Sequence, residues 1–273
     1  MPLTLTFRHP SAAPLEVDSI RIESVRSQSL DEVLRTPVHR GNRSLPFGDF
    51  FEASGSACDD ETIVWQGDLR KVKRIGAGLS RGRVIVEGDA GMHLGAEMTG
   101  GDVEVHGDVG DWAGAQMQGG TIHIRGNAGN LVGAAYRGSR KGMTGGEILI
   151  DGNAGHELGR AMRRGIIAVG GDVGDFVGTN MIAGTVYVCG NCGIRHGAGM
   201  KRGTIALLGP NAPELLPTFR YACDMEPMFL GLYVRRVSAL GWRSASGQPL
   251  TPVRRYCGDI LEVGKGEILT RRL

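Results

Sequence analysis

Nowhere does this chain approach the ~20 consecutive apolar residues that a membrane-crossing helix needs. Its amino terminus, Met1-Pro2-Leu3-Thr4-Leu5-Thr6-Phe7, also lacks the apolar run of a secretory signal. The expected setting is therefore soluble and cytoplasmic, with no membrane partner. A charge excess is missing too. The 31 basic and 29 acidic residues leave a net charge of +2, which implies no nucleic-acid partner. Five cysteines scattered over 273 residues cannot staple a fold and read as reduced thiols. Lysine is scarce, so arginine carries most of the positive charge.

Glycine is what the chain has in excess. Its 45 copies far exceed the average usage of about 7%, yet they lack the three-residue period of collagen. They punctuate a 19-residue phrase instead: two alternating β-branched residues, then Gly-(Asp/Asn)-(Ala/Val), further glycines and a methionine. Copies start at Arg83, Asp102, Thr121, Glu147, Ile166 and Thr185, in steps of 19, 19, 26, 19 and 19 residues. One copy thus carries a seven-residue insertion, Tyr136 to Gly142. A looser copy opens at Ile63, and the pattern stops at Pro210. Repetition at a fixed period points to stacked units before any single residue points to a chemistry.

In each copy the aliphatic pairs Val84/Val86, Val103/Val105, Ile122/Ile124, Ile148/Ile150, Ile167/Val169 and Val186/Val188 share one face of a short strand. The residues between them, Ile85, Glu104, His123, Leu149, Ala168 and Tyr187, face the other way. Methionine closes each unit, at 98, 117, 143, 162, 181 and 200. A helix is excluded, because interior glycines cost ~1 kcal/mol each. The pattern predicts a mainly β fold: a right-handed parallel β-helix, a single-stranded solenoid of about seven coils of 19 residues, with small α/β end caps. Glycines would serve its corners, through positive φ and close backbone approach.

Three segments follow: an N-terminal cap (1–61), the β-helix repeats (62–209) and a C-terminal cap with one helix and a final strand (210–273). In the first, Leu3–Phe7 and Ile20–Val25 read as strand-like, and Ser29 is placed to cap a helix reaching Arg35. Leu45 to Phe51 would plug the first coil. In the last, Met228 to Leu240 reads as a helix with Leu230, Tyr233, Val234, Val237 and Leu240 on one face and Gly241 as its stop. Glu267 to Thr270 reads as a last strand.

Cys189-Gly190-Asn191-Cys192, with His196 nearby, has the spacing of a metal or redox motif. The repeat, however, assigns Cys192 to the inward Ala/Val slot and Cys189 to an outward one, so a core thiol and a surface thiol are expected. Asp68, Asp89, Asp108, Asn127, Asn153, Asp172 and Asn191 mark one corner of every copy. Such a row could bind calcium, but its asparagines favour a ladder in which each side chain bonds its own turn. The remaining histidines, His9, His39, His93, His106, His123 and His156, show no metal spacing. No Ser/His/Asp or paired-carboxylate constellation stands out, so no catalytic or metal-binding residue is expected. One polar feature is positional. Arg81, Arg163, Arg164, Lys201 and Arg202 occupy the two slots before the closing glycine, and the insertion adds Arg137, Arg140 and Lys141 near that edge. The edge is either a solvated corner or a docking stripe for an anionic partner or ligand tail.

Gly67-Asp68-Leu69-Arg70-Lys71-Val72-Lys73-Arg74-Ile75-Gly76-Ala77-Gly78 and Val86-Glu87-Gly88-Asp89-Ala90-Gly91-Met92-His93-Leu94-Gly95 closely resemble the C subunit of formylmethanofuran dehydrogenase. So do Leu216-Pro217-Thr218-Phe219-Arg220-Tyr221 and Gly264-Lys265-Gly266-Glu267-Ile268-Leu269, and the resemblance covers nearly the whole chain. The glycine repeat is also similar to the C-terminal β-helical domain of glutamate synthase large subunits. The family includes a subunit of tungsten or molybdenum formylmethanofuran dehydrogenases in methanogens. It also includes the C subunit of the formyltransferase/hydrolase complex of methylotrophic bacteria, which moves a formyl group from tetrahydromethanopterin to a methanofuran-type carrier and releases formate; the arginine-rich composition favours this second kind. The resemblance implies a non-catalytic scaffold in one-carbon metabolism, with hydrolase-like, formyltransferase and dehydrogenase-derived partner subunits that hold the metal centres and the chemistry. The carrier's polyglutamate tail would then meet Arg137, Arg140, Lys141, Arg163, Arg164, Lys201 and Arg202. A dehydrogenase C subunit and a glutamate-synthase-like regulatory module are the alternatives. A stand-alone acyltransferase of the left-handed β-helix type would need a six-residue subperiod that this chain lacks.

Overall fold

The period-two alternation becomes strand pairing throughout the repeats. The computed structural model describes residues 1–8, 13–242 and 252–272. Ahead of the repeats lie β1 (Leu3–Phe7), β2 (Leu15–Glu16), the short helices α1 (Ile22–Val25) and α2 (Leu30–Arg35), β3 (Pro37–Arg40), β4 (Arg43–Pro46) and β5 (Phe51–Ser54). The repeats supply β6 (Thr62–Gln66), a short β7 (Val72–Lys73), β8 (Arg83–Glu87), β9 (Asp102–Val105), β10 (Thr121–Ile124), β11 (Glu147–Ile150), β12 (Ile166–Val169), β13 (Thr185–Val188) and β14 (Arg202–Leu207). Then come β15 (Arg220–Met225), α3 (Met228–Ala239), β16 (Val253–Gly258) and β17 (Lys265–Arg271).

The protein is mainly β, built on a 13-stranded sheet in the order β15-β16-β17-β14-β13-β12-β11-β10-β9-β8-β6-β1-β5. From β1 to β17 every neighbour is parallel, and equivalent repeat positions face each other: Val84 opposes Val103, and Ile122 opposes Ile148. Successive repeats touch along two further rows. Leu69, Ala90, Val109, Ala128, Ala154, Val173 and Cys192 form a chain of parallel bridges. The N–H groups of Gly95, Gly114, Gly133, Gly159, Gly178 and Gly197 each donate to a carbonyl of the preceding repeat. Antiparallel strands, β5 at one edge and β16–β15 at the other, close the series. No described helix is long and apolar enough to cross a membrane.

Inside, the strand aliphatics and all six repeat methionines are buried, the methionines completely. The seven-residue insertion leaves the stacking untouched, since Ala128 still bridges Ala154 across it. Close approach makes some glycines obligatory. A Cβ on Gly126 would lie 2.3 Å from Asp108 Oδ1 and 2.7 Å from the Gly107 backbone. Positive φ is not what glycine supplies everywhere: one left-handed slot per repeat carries His93, Trp112, Leu131, Glu157, Phe176 or Arg195.

The Asx row is a ladder; Asp68 accepts from its own turn, at the Arg70 N–H (3.4 Å), but from Asp89 on the side chains reach the next repeat instead. The N–H of Asp108 donates to Asp89 Oδ1 (2.8 Å), that of Asn127 to Asp108 (2.7 Å), that of Asn153 to Asn127 (2.9 Å), that of Asp172 to Asn153 (2.7 Å) and that of Asn191 to Asp172 (2.7 Å). Each side chain thus fastens the next repeat. At the far end, the register puts Pro210 opposite Asn191. Proline has no N–H to donate, and Asn191 Oδ1 is buried without a partner. A second ladder, three residues on, was not foreseen: Asp111, Asn130, His156 and Asp175 accept in turn from the N–H of Asn130, His156, Asp175 and Ile194.

Phe47, Phe51 and Trp65 cluster at the first repeat, with Phe47 stacked on Phe51 at 4.3 Å, so Leu45 to Phe51 lies where a plug was expected. The helix begun at Ser29 is as expected, with Ser29 and Glu32 in a capping box. Ile20–Val25 differs: it holds helix α1, not a strand. Ser24 Oγ accepts from the Arg21 N–H (3.1 Å), and Ile22 and Val25, three apart, are the buried pair. Local capping outweighs the β-branched composition. Helix α3 matches its expected span. It lies across the outer face of the sheet, where Leu230, Val237 and Trp242 bury Leu149, Ala168, Tyr187 and Ala206. Trp242 Nε1 donates to the Ile150 carbonyl (3.0 Å). Because Met162 is fully buried in the methionine row, Met162→Ala should lower unfolding free energy by about 2–5 kcal/mol, read from guanidinium denaturation.

Candidate functional site

The stacking rows fix where each repeat turns. The N–H groups of Thr144, Arg163, Ile182 and Lys201 each donate to the methionine carbonyl one repeat earlier, so these corners lie one above another. The corner residues 144–146, 163–165, 182–184 and 201–203 line a cleft of about 1030 Å³. Glu147, Ile166 and Thr185, which open β11, β12 and β13, and Thr204 of β14 form its floor, while Tyr233 of α3 and Val263 complete the lining. Neighbouring strands lie ~4.8 Å apart, so Arg163 and Arg164 stand ~10 Å from Lys201 and Arg202 along the stack. The uncharged Ile182 and Ala183 separate them.

Arg163, Arg164 and Arg202 are exposed and have no acidic partner among the described residues. Lys201 Nζ lies 3.9 Å from Glu262 Oε2, and the one acid on the floor, Glu147, is held by Arg236 Nε at 3.0 Å. The cleft is therefore cationic. A second cleft of about 340 Å³ adjoins it at Ile182 and Lys201. Arg137 and Arg140 of the insertion line it, with Tyr136, Arg160, Asn180 and Glu262. Arg160 is paired with Glu157 at 2.8 Å, whereas Arg137 and Arg140 have no acidic partner among the described residues. The structure thus places Arg163, Arg164, Lys201 and Arg202 in one cleft and Arg137 and Arg140 in the next. Lys141 lines neither; its backbone carbonyl accepts from Gln116 Nε2 and Ser139 Oγ. Arg81 lies apart, paired with Glu61 at 3.0 Å. Tyr233, Glu262 and Val263 were missed, because they follow the repeat and share no period with it.

A second polar cluster sits on the outer sheet face. Arg125 donates to Glu104 Oε1 (2.8 Å), to Asp151 Oδ2 (3.4 Å) and to the Gly241 carbonyl that follows α3 (3.3 Å). Burial pushes the Glu104 carboxyl up, but hydrogen bonds from Arg125 and Arg83 outweigh it and hold it below the ordinary range. Every charge here is matched, so the cluster fastens the helix to the sheet.

No protein-family model matches the chain. It is 45% identical over 81 residues to the C subunit of the molybdenum-containing formylmethanofuran dehydrogenase 1 of Methanothermobacter marburgensis, covering 30% of this chain and 20% of that protein. It is 39% identical over 95 residues to the C subunit of the tungsten-containing formylmethanofuran dehydrogenase 2 of Methanothermobacter thermautotrophicus, covering 34% of this chain and 35% of that protein. The matches therefore span about a fifth to a third of these relatives' lengths. The chain also superposes on a chain from the crystal structure of the formyltransferase/hydrolase complex (FhcABCD) of Methylorubrum extorquens in complex with methylofuran. There the TM-score is 0.90 and the identity 35%, over 99% of this chain and 100% of that one. The chain belongs to the family of formylmethanofuran dehydrogenase C subunits.

In this family member the Cys-x-x-Cys thiols face different surroundings. Cys192 packs against the main core and Cys189 against the layer under α3, so both thiols, the outward one included, are half-buried. Burial pushes Cys189 up to about 12, and burial with Asp172 nearby pushes Cys192 up to about 11. Redox and metal-binding thiols need the opposite shift. His196 is fully buried, burial pushes its imidazole down, and its Nε2 lies 2.9 Å from the Gly193 carbonyl. Among the described residues no three His, Cys, Asp or Glu side chains converge as a metal site; His9 lies outside those residues. Unfolded thiols ionise near 9.0, below both folded values, so the thiols' contribution to stability is full below that pH and is lost as pH rises toward 12. Maleimide at pH 8 should label exposed Cys58 and Cys223 and spare Cys189 and Cys192 until the chain is denatured; mass spectrometry of the labelled peptides checks it.

Proposed function

We propose that this chain is the scaffold subunit of a cytoplasmic formyltransferase/hydrolase complex in one-carbon metabolism, with no catalytic residues of its own. In this reading residues 62–209 form a right-handed parallel β-helix of about seven coils, flanked by caps at 1–61 and 210–273. The formyltransferase, hydrolase-like and dehydrogenase-derived partner subunits carry the chemistry and the metal centres. The observation that carries the reading is end-to-end likeness, at 35% identity, to a chain of a complex solved with methylofuran. The basic cleft is its docking edge for the polyglutamate tail of a methanofuran-type carrier. Unpaired arginines lining an open cleft favour a multiply charged anion over a neutral surface. A second reading, the C subunit of a molybdenum or tungsten formylmethanofuran dehydrogenase, draws on the 45% identity over 81 residues, but that match covers 30% of the chain.

Purification from the native host tests the scaffold role. A stable hetero-oligomer containing this chain is expected, and a lone chain with its own transferase activity would overturn it. Within that complex, Arg163→Glu with Arg164→Glu should weaken carrier binding about tenfold or more at low salt, the difference shrinking as salt screens it. Unchanged affinity at low salt, measured by calorimetry, would discard the tail-docking edge.

A further inference from the structure

We infer that β5 takes an extended segment of a partner subunit as an added strand, hydrogen-bonded to Phe51 and Ala53 along the open edge of the large sheet. The inference rests on the scaffold reading above and adds the surface by which one partner is held.

β5 is the terminal strand of the 13-stranded sheet and pairs with β1 alone. The register of Thr6 opposite Glu52, with the bond from the Arg8 N–H to the Phe50 carbonyl (2.9 Å), sets the alternation of the antiparallel ladder. Glu52 and Ser54 therefore direct their N–H and C=O groups at β1, whereas Phe51 and Ala53 direct theirs away from it. Those two donors and two acceptors meet no partner among the described residues. Phe51 is buried, and buried backbone groups are rarely left unpaired. Both residues border a cleft of about 470 Å³, lined also by Leu34 of α2, Gly48 and Phe50 and by Thr6, Arg8 and Glu52.

Open strand edges are ordinarily blunted, and the other sheet ends show it. The register of β15 breaks between Tyr221 and Cys223, and β4 carries Arg43 and Pro46. β5 instead keeps regular pairing over all four residues without a proline, and its one charge, Glu52, is paired with Arg8. An extended chain of about four residues, ~14 Å long, covers it. Apolar side chains on that chain would meet Leu34 and Phe50, and uncharged polar ones would meet Thr6 and the matched Arg8–Glu52 pair. A second copy does not supply such a chain, because its own β5 sits behind the same Leu34 wall and its β15 is bulged. The occupant is accordingly a slender segment of a different subunit, alternately apolar and neutral polar, added as a strand.

Ala53→Pro tests this, because the Ala53 N–H points away from β1 and its loss removes no bond of the existing ladder. The variant should keep the thermal stability of the full chain and lower the yield of hetero-oligomer from the native host about tenfold or more. Hydrogen exchange on the wild type is a second measurement that needs no variant. The Ala53 amide should exchange about tenfold or more slowly in the complex than in the chain alone, while the Glu52 amide, bonded to β1, is protected in both. An Ala53→Pro chain that assembles as wild type does, or an Ala53 amide equally fast in both states, overturns the added strand and leaves the scaffold reading standing. Dimerisation of the chain alone that Ala53→Pro abolishes overturns the choice of a different subunit. A wild-type chain recovered without partners overturns the scaffold reading, and this inference with it.

Discussion

Everything in this molecule depends on each repeat landing one strand spacing above the last, with equivalent atoms in register. Parallel pairing along the strands, the bridge row from Leu69 to Cys192 and the corner hydrogen bonds all enforce that condition. A slip of one residue would turn Val84 and Val86 outward and bring Ile85 in. The glycine content follows from the same constraint. Where two repeats pass backbone to backbone, as at Gly126 over Gly107, there is no room for a side chain. The Asx side chains add a linkage that strand pairing cannot, because their oxygens reach across to the next repeat's N–H.

Periodicity also shapes the cationic cleft. Stacking like charges on adjacent strands would set them ~4.8 Å apart, a repulsion of about 0.9 kcal/mol per pair even in water. Spacing Arg163/Arg164 from Lys201/Arg202 by the neutral Ile182/Ala183 corner roughly halves it. The positive charge can thus stay uncompensated at modest cost. In the Arg125 cluster, by contrast, Glu104 and Asp151 neutralise the charge, and its work is to hold α3. The difference between a matched and an unmatched group of arginines separates a structural fastening from a surface open to a ligand.

Features that repeat were legible in the sequence. Strand positions, the buried methionines and the shared edge of Arg163, Arg164, Lys201 and Arg202 all follow from counting in nineteens. Helices were legible too, α2 through its Ser29 cap and α3 through its apolar face and the Gly241 stop. What escaped were the features that occur once. Helix α1 depends on a local serine bond, and Glu262 reaches the cleft from a turn far along the chain. The seat of α3 did leave a trace. The outward strand residues change from Glu104 to Leu149, Ala168 and Tyr187, with the already buried His123 between them, and that switch marks where the sheet stops facing water. The second ladder was hidden by its chemistry, since His156 stands where its neighbours are Asp111, Asn130 and Asp175, and only the shared ability to accept a hydrogen bond unites them.

Self-similar stacks carry a hazard: the last unit is a ready template for the first unit of another molecule, and copies could concatenate into fibres. Pro210 bears on that hazard. By meeting Asn191 with an imino acid, the chain withholds the donor that Asp108, Asn127, Asn153, Asp172 and Asn191 supply at the earlier rungs, and the orphaned oxygen is sealed from solvent. Along this row the ladder thus ends on a residue that cannot extend it, while β17, paired with β14, covers the strand edge beside it.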